Sequence, residues 1–149
     1  MKSYNVMTTK ELLESLETCA NCEEQIIVGE LLRRAGLYAV DGNNTETLID
    51  KALRNIQKRS VTLYQTEDTV EDGDAFTELL TYDRENAIEA ARDDWDHLAN
   101  WEKETHSISV NVYSIELPAD SEFTAEEAYE YTREHFFDRL GTYNTIEWR

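Results

Sequence analysis

Ile108-Ser109-Val110-Asn111-Val112-Tyr113-Ser114-Ile115-Glu116-Leu117 is the stretch on which the fold turns. Ile108, Val110 and Val112 alternate with polar residues, the period of a half-buried strand. The apolar phase then changes parity to Tyr113, Ile115 and Leu117, which marks either a bulge or burial on both faces. Upstream, Asp83 to about Thr105 reads as one long helix. Its Ile88, Ala91, Trp95 and Leu98 recur at +3, +7 and +10 and mark the buried side. Downstream, Pro118 begins a loop and Thr124 caps a last helix, with Glu127 three residues on completing a capping box. That helix is expected to run to Leu140, with Gly141 as its stop. Ile146 and Trp148 share one face of a short final strand.

Further upstream, Val61-Thr62-Leu63-Tyr64-Gln65 alternates like a strand. Glu67 to Asp74 reads as an acidic loop, and Phe76 to Tyr82 as a second strand. Residues 60–149 thus run strand, strand, helix, strand, helix, strand. The economical arrangement is a small, mostly antiparallel sheet with two acidic helices on one face. Residues 1–59 read as a separate unit of about three helices. Thr8-Thr9 can cap the first, which carries Leu12, Leu13 and Leu16. The second covers Glu23 to Ala35, with Gly36 as its stop. Asp41-Gly42-Asn43-Asn44 is a turn, and Thr45 caps the third helix. Leu48, Ile49, Ala52, Leu53 and Ile56 form its stripe, and Lys58 and Arg59 close it. The predicted class is α+β, with a near-neutral helical unit (1–59) and an acidic α/β domain (60–149).

The chain has 149 residues, 40% of them apolar, with 3 Trp, 8 Tyr and 4 Phe. That supports a core, so the acidity does not imply disorder. No run approaches the roughly 18 apolar residues that span a bilayer. Met1-Lys2-Ser3-Tyr4-Asn5 lacks the apolar stretch of a signal peptide. Two cysteines close in sequence fit a reducing compartment. The expectation is a soluble cytoplasmic protein, in the host cytoplasm if the chain is phage-encoded.

Charge is the least even property. The net is −18, from 32 acids and 14 bases. Residues 1–60 hold 9 acids and 8 bases, and residues 61–149 hold 23 acids and 6 bases. A neutral third joined to a strongly anionic remainder reads as a surface made to meet something positive. Direct binding to nucleic acid or to an anionic membrane is not expected, because both are polyanions.

The acids fall into rows. Glu126, Glu130, Glu134 and Asp138 stand at successive i, i+4 positions on the last helix. Their rise of ~6 Å per step is close to the spacing of successive phosphates along one nucleic-acid strand. Glu85, Glu89, Asp93 and Asp96 form a second row on the long helix, widened by Asp94, Glu102 and Glu104. Glu67, Asp68, Glu71, Asp72 and Asp74 add a loop cluster. Like charges at i, i+4 cost about 0.2–0.5 kcal/mol per pair, and only Arg133 and Arg92 stand near to relieve them. A generic acidic surface is the bland reading. A partner-binding surface for a basic protein, a nuclease or a nucleoprotein complex, is the sharper one.

In size, acidity and small α/β build, residues 61–149 resemble the inhibitors that phages and mobile elements deploy against host defence. These are the anti-CRISPR and antirestriction proteins, several of which imitate DNA. The resemblance implies a non-enzymatic inhibitor that blocks a nucleic-acid-handling partner by mimicry. The alternative is an immunity protein or antitoxin that neutralises a cationic toxin.

Other constellations carry less. Cys19-Ala20-Asn21-Cys22 is a lone C-x-x-C. It lacks the strand that precedes a redox site and the further ligands that a zinc site needs, since His97, His106 and His135 have no suitable spacing. It reads as small residues at a helix–helix junction. A calcium loop placed on Gly73 would put Val70 and Leu79 at ligand positions and is rejected, although clustered carboxylates can attract divalent cations loosely. Asp93 and His97 read as an i, i+4 ion pair rather than an acid–base couple, and no nucleophile accompanies them. No enzyme, cofactor or metal site is expected. Arg33, Arg34, Lys51, Arg54, Lys58 and Arg59 offer some positive charge for a helix-turn-helix, but the unit is neutral overall. Its surplus of Leu and Ile points instead to protein contact, or to a homodimer through the N-terminal helices.

Overall fold

The computed structural model describes residues 3–38, 44–135 and 141–148. The fold is α+β, and the chain divides into two compact units. One comprises Met1–Arg59 with Leu117–Phe123, and the other Ser60–Glu116 with Thr124–Arg149.

In the first unit a short 3-10 helix (Tyr4–Val6) precedes α1 (Thr9–Thr18), α2 (Asn21–Arg34) and α3 (Thr45–Asn55). Thr8 caps α1 by accepting from the Glu11 N–H, and the Glu11 carboxylate in turn accepts from the Thr8 N–H. α2 ends at Gly36, whose φ of +70° suits a residue without a Cβ. Leu37 N–H then donates to the Leu32 carbonyl and Gly36 N–H to the Arg33 carbonyl, the pair of hydrogen bonds that closes a helix C-terminus. Asn44 rather than Thr45 caps α3, because its side chain accepts from Thr47 N–H at 2.7 Å while Thr45 is already helical. The rest of the Asp41–Asn44 turn lies outside the described residues. Lys58 and Arg59 do not belong to α3. The chain turns extended at Ile56, which is buried, and strand pairing takes up both residues. Lys58 still serves the helix, its Nζ donating to the Arg54 carbonyl. Leu12, Ile27, Leu31 and Leu53 are fully buried here, joined by Leu117 from the returning segment.

The second unit is built on a four-stranded sheet of order β2-β1-β3-β4. β1 is Lys58–Val70, β2 Ala75–Thr81, β3 His106–Pro118 and β4 Gly141–Trp148. β1–β2 and β3–β4 are antiparallel. β1 and β3 are antiparallel too, since Asp68 meets His106 while Gln65 meets Asn111. β1 is longer than its alternating core, so Glu67 and Asp68 are strand residues. Only Glu71–Asp74 form the turn, where Gly73 takes a φ of +100°. The apolar phase change in β3 coincides with a register shift against β4 between Val112 and Tyr113, the bulge alternative of the sequence reading. β3 supplies Ile108 and Val110 to the core of this unit and Leu117 to that of the first.

The expected long helix is broken. α4 covers Arg84–His97, and a short α5 covers Asn100–Lys103. Leu98 goes extended at the break and packs with Trp95 and Tyr64 on the Ala87, Ala91, Ile108 and Val110 cluster. Glu102 then caps the backbone N–H of Ala99 and restarts the helix. α6 covers Ala125–His135, opened by a reciprocal Thr124–Glu127 box. The expected continuation to Leu140 lies outside the described residues, and Gly141 is the first residue of β4. No described helix is long and apolar enough to cross a membrane.

Candidate partner-binding surface

The periodicity of α6 sorts its residues cleanly. Ala125, Ala128, Tyr131 and Thr132 are buried, which turns Glu126, Glu130 and Glu134 outward as one exposed row. Asp138 lies outside the described residues. Arg133, beside the row, has its guanidinium over the Tyr129 ring at 5.5 Å. In α4 the buried Ala87, Ile88 and Ala91 leave Glu85, Glu89, Asp93 and Asp96 exposed. Glu85 pairs with Arg84 at 3.5 Å, both well exposed, so the pair contributes little. Among the described residues, Glu89, Asp93, Asp96, Glu126 and Glu130 make no ion pair. Asp72 and Asp74 are exposed at the β1–β2 turn, where an Asp72 carboxylate oxygen accepts from Asp74 N–H. Both α4 and α6 pack against β2, so the two rows are carried by neighbours of one strand.

Other acids of the sequence clusters turn out to be structural. Asp68 projects toward His106, whose Nδ1 lies 2.9 Å from its carboxylate, with both side chains mostly buried. Glu102 is a cap. Asp94 turns inward from α4, and its Oδ2 is buried without a hydrogen-bond partner among the described residues. Desolvation raises the Asp94 carboxyl pKa above its ordinary range, and the charges of Asp68 and Asp93 add to this, against a smaller lowering by His97. Glu78 is raised as well, by partial desolvation and then by Asp94 and Asp68.

Glu78 was not singled out by sequence reasoning. It is the extra residue of a bulge, since Thr66 pairs with Leu79 and Glu67 with Thr77. A lone acid between two apolar positions carries no local sign of that. His97 does not pair with the Asp93 carboxylate as i, i+4 spacing predicted. Its Nδ1 lies 2.6 Å from the Asp93 backbone carbonyl.

The remaining constellations are also placed. Cys19 ends α1 and the exposed Cys22 lies in the first turn of α2, so the two free thiols flank a helix junction. Among the described residues no three His, Cys, Asp or Glu side chains are gathered as a metal site. The basic residues of the first unit are largely engaged within it. Arg33 and Arg34 pair with Glu30, and Arg59 donates to the Ser121 carbonyl. Comparison with protein-family models, with curated proteins and with solved structures finds no match.

Proposed function

We propose that this protein binds a basic, nucleic-acid-handling protein and blocks it, with the carboxylate rows of α4 and α6 standing in for phosphates. The partner is a nuclease or nucleoprotein complex, as for the anti-CRISPR and antirestriction inhibitors that the chain resembles. One observation carries the reading. Seven acids on two helices are exposed, and five of them make no ion pair among the described residues. Acids with evident structural work such as Asp68, Asp83 and Asp120 lie outside the rows, and Glu102, at the margin of the second, caps Ala99. A row of unrelieved like charge costs helix stability. Such a row speeds association with a cationic surface and fixes its orientation. Asp72 and Asp74 extend the anionic surface beyond the helices.

The test is a pull-down from cell lysate at low and high salt. A basic protein is expected to come down at low salt, to be released as screening grows, and to be displaced by added DNA or RNA. Changing Glu126, Glu130, Glu134 and Asp138 together to Lys should abolish the capture. Retention of the partner by that variant with unchanged salt dependence would overturn the proposal, as would recovery of no basic protein.

A further inference from the structure

β2 is an edge strand, first in the order β2-β1-β3-β4, so one side of it meets no other strand of the sheet. The hydrogen bonds at the β1–β2 turn fix which of its main-chain groups face outward. Val70 N–H donates to the Asp74 carbonyl, and Glu71 N–H donates the other way, to the Thr105 carbonyl beside β3. Even-numbered residues at this end of β1 therefore bond β2, and odd-numbered ones bond toward β3. Asp68 stands opposite Phe76, Thr69 opposite Ala75 and Glu67 opposite Thr77. Bonded and non-bonded pairs alternate in an antiparallel ladder, so Ala75 and Thr77 turn their N–H and C=O groups away from β1. Those four groups meet no hydrogen-bond partner among the described residues.

The edge is also unguarded. Ala75–Glu78 are exposed, whereas Leu79–Thr81 are half-buried. Edge strands are commonly protected by lysine or proline. From Ser60 to Asp83 this chain has seven acids and no lysine, arginine or proline. The bulge at Glu78 ends regular pairing and confines the free edge to the stretch before it. Glu71, Asp72, Asp74 and Glu78 are exposed along that stretch and its turn.

These charges select the occupant. A second copy paired on this edge would set acid against acid. We propose that β2 takes up an extended basic segment of the partner as a fifth strand, bonded through Ala75 and Thr77, with its Lys or Arg side chains on Asp72, Asp74 and Glu78. Phe76 is 55% exposed and offers its ring to the aliphatic stems of those side chains. This pairing, which rests on the basic partner proposed above, gives the complex a register that charge attraction alone does not supply.

Two synthetic octapeptides test the proposal on the full chain, one alternating lysine with valine, the other glutamate with valine. Amide hydrogen exchange is read by NMR. The lysine peptide should slow exchange at Ala75 and Thr77 by about tenfold or more, and the glutamate peptide should leave it unchanged. N-methylation of alternate amides should weaken the lysine peptide by about tenfold, since it deletes main-chain bonds and keeps the charge. Ala75→Pro removes an outward donor that the sheet itself does not use, and should weaken the peptide and lysate capture alike. Should that variant not fold, the N-methylated peptide decides. Peptide pairing with no basic protein recovered from lysate would support the edge and fail only the proposed function. Full capture by Ala75→Pro, with capture lost in the Lys variant of the α6 row, would overturn this proposal and leave that function standing. Unchanged exchange at Ala75 and Thr77 under saturating lysine peptide would also overturn it. So would protection of both amides without peptide at twice the 17.3 kDa chain mass, which would make a second copy the occupant.

Discussion

The Asp120 carboxylate accepts hydrogen bonds from both the main-chain N–H and the hydroxyl of Thr9, each at 3.0 Å, across 111 residues of sequence. Thr9 is fully buried at the first position of α1. Ser121 takes the next N–H, that of Lys10, and the Thr8 side chain takes the third. The open donors of the helix start are thereby met, two of them by a segment far along the chain. Arg34 adds a charge contact to Asp120 at 3.3 Å.

Asp120→Ala is therefore expected to lower stability by about 1–3 kcal/mol, because it strands a buried hydroxyl and N–H rather than merely deleting a surface charge. Urea denaturation measures it. A loss no larger than that for the exposed Glu122→Ala would contradict the assignment.

Glu30 gives a pH-dependent prediction. Bonds from Arg33 first, then Arg34, hold its carboxyl below the ordinary value of 4.5, and its side chain is only 10% exposed. A lowered folded-state pKa means stability that is present above 4.5 and lost as pH falls through the folded value. Glu30→Gln should cost about 1–2 kcal/mol at neutral pH and nothing in strong acid. Unfolding followed from pH 7 downward should show the two curves converge.

Asp94 and Glu78 predict the reverse. Their pKa values are raised, so the folded state favours the protonated forms. That contribution is complete below the ordinary values of 3.8 and 4.5 and is lost as pH rises through the folded values. Asp94→Asn and Glu78→Gln should therefore raise the neutral-pH melting temperature, with the gain fading in acid. Asp68, Asp93, His97 and His106 are the neighbouring titratable groups. Destabilisation at neutral pH by both variants would show that the cluster is not repulsive.

The α6 row separates function from fold. Glu130→Lys replaces two like-charge neighbours, Glu126 and Glu134, with two attractive pairs. It should stabilise α6 by about 0.8–2 kcal/mol, from two repulsions removed and two attractions gained, while weakening partner capture. Thermal melting and the low-salt pull-down together read both signs. A parallel loss of stability and binding would make the row a structural element.

What was legible in the sequence was local. The Thr8-Thr9 cap, the Thr124–Glu127 box, the Gly36 stop, the apolar stripe of α3 and the alternation in β3 each depend on residues within about a turn of one another. The outward direction of Glu126, Glu130, Glu134, Glu85, Glu89, Asp93 and Asp96 followed from the same periods, because a helix that buries one face must expose the other.

What was not legible depended on partners distant in the chain. Pairing with β2 and β3 extends β1 through Glu67 and Asp68, which composition alone places in a loop. Packing of Leu98 on the Ala87–Val110 cluster ends α4 where the propensity of its sequence would continue. Asp94 and Asp93 are adjacent acids on the same helix, yet one faces the sheet beside Asp68 and the other faces solvent.

The sequence by itself thus determined the α+β class, most of the elements and the asymmetry of charge, since these follow from spacing and composition. Only the tertiary structure decided which acids are surface and which are structural, and which unit residues 117–123 join. A carboxylate's role is set by the donors and charges that reach it, and for Asp120, Asp68 and Asp94 those come from elsewhere in the chain.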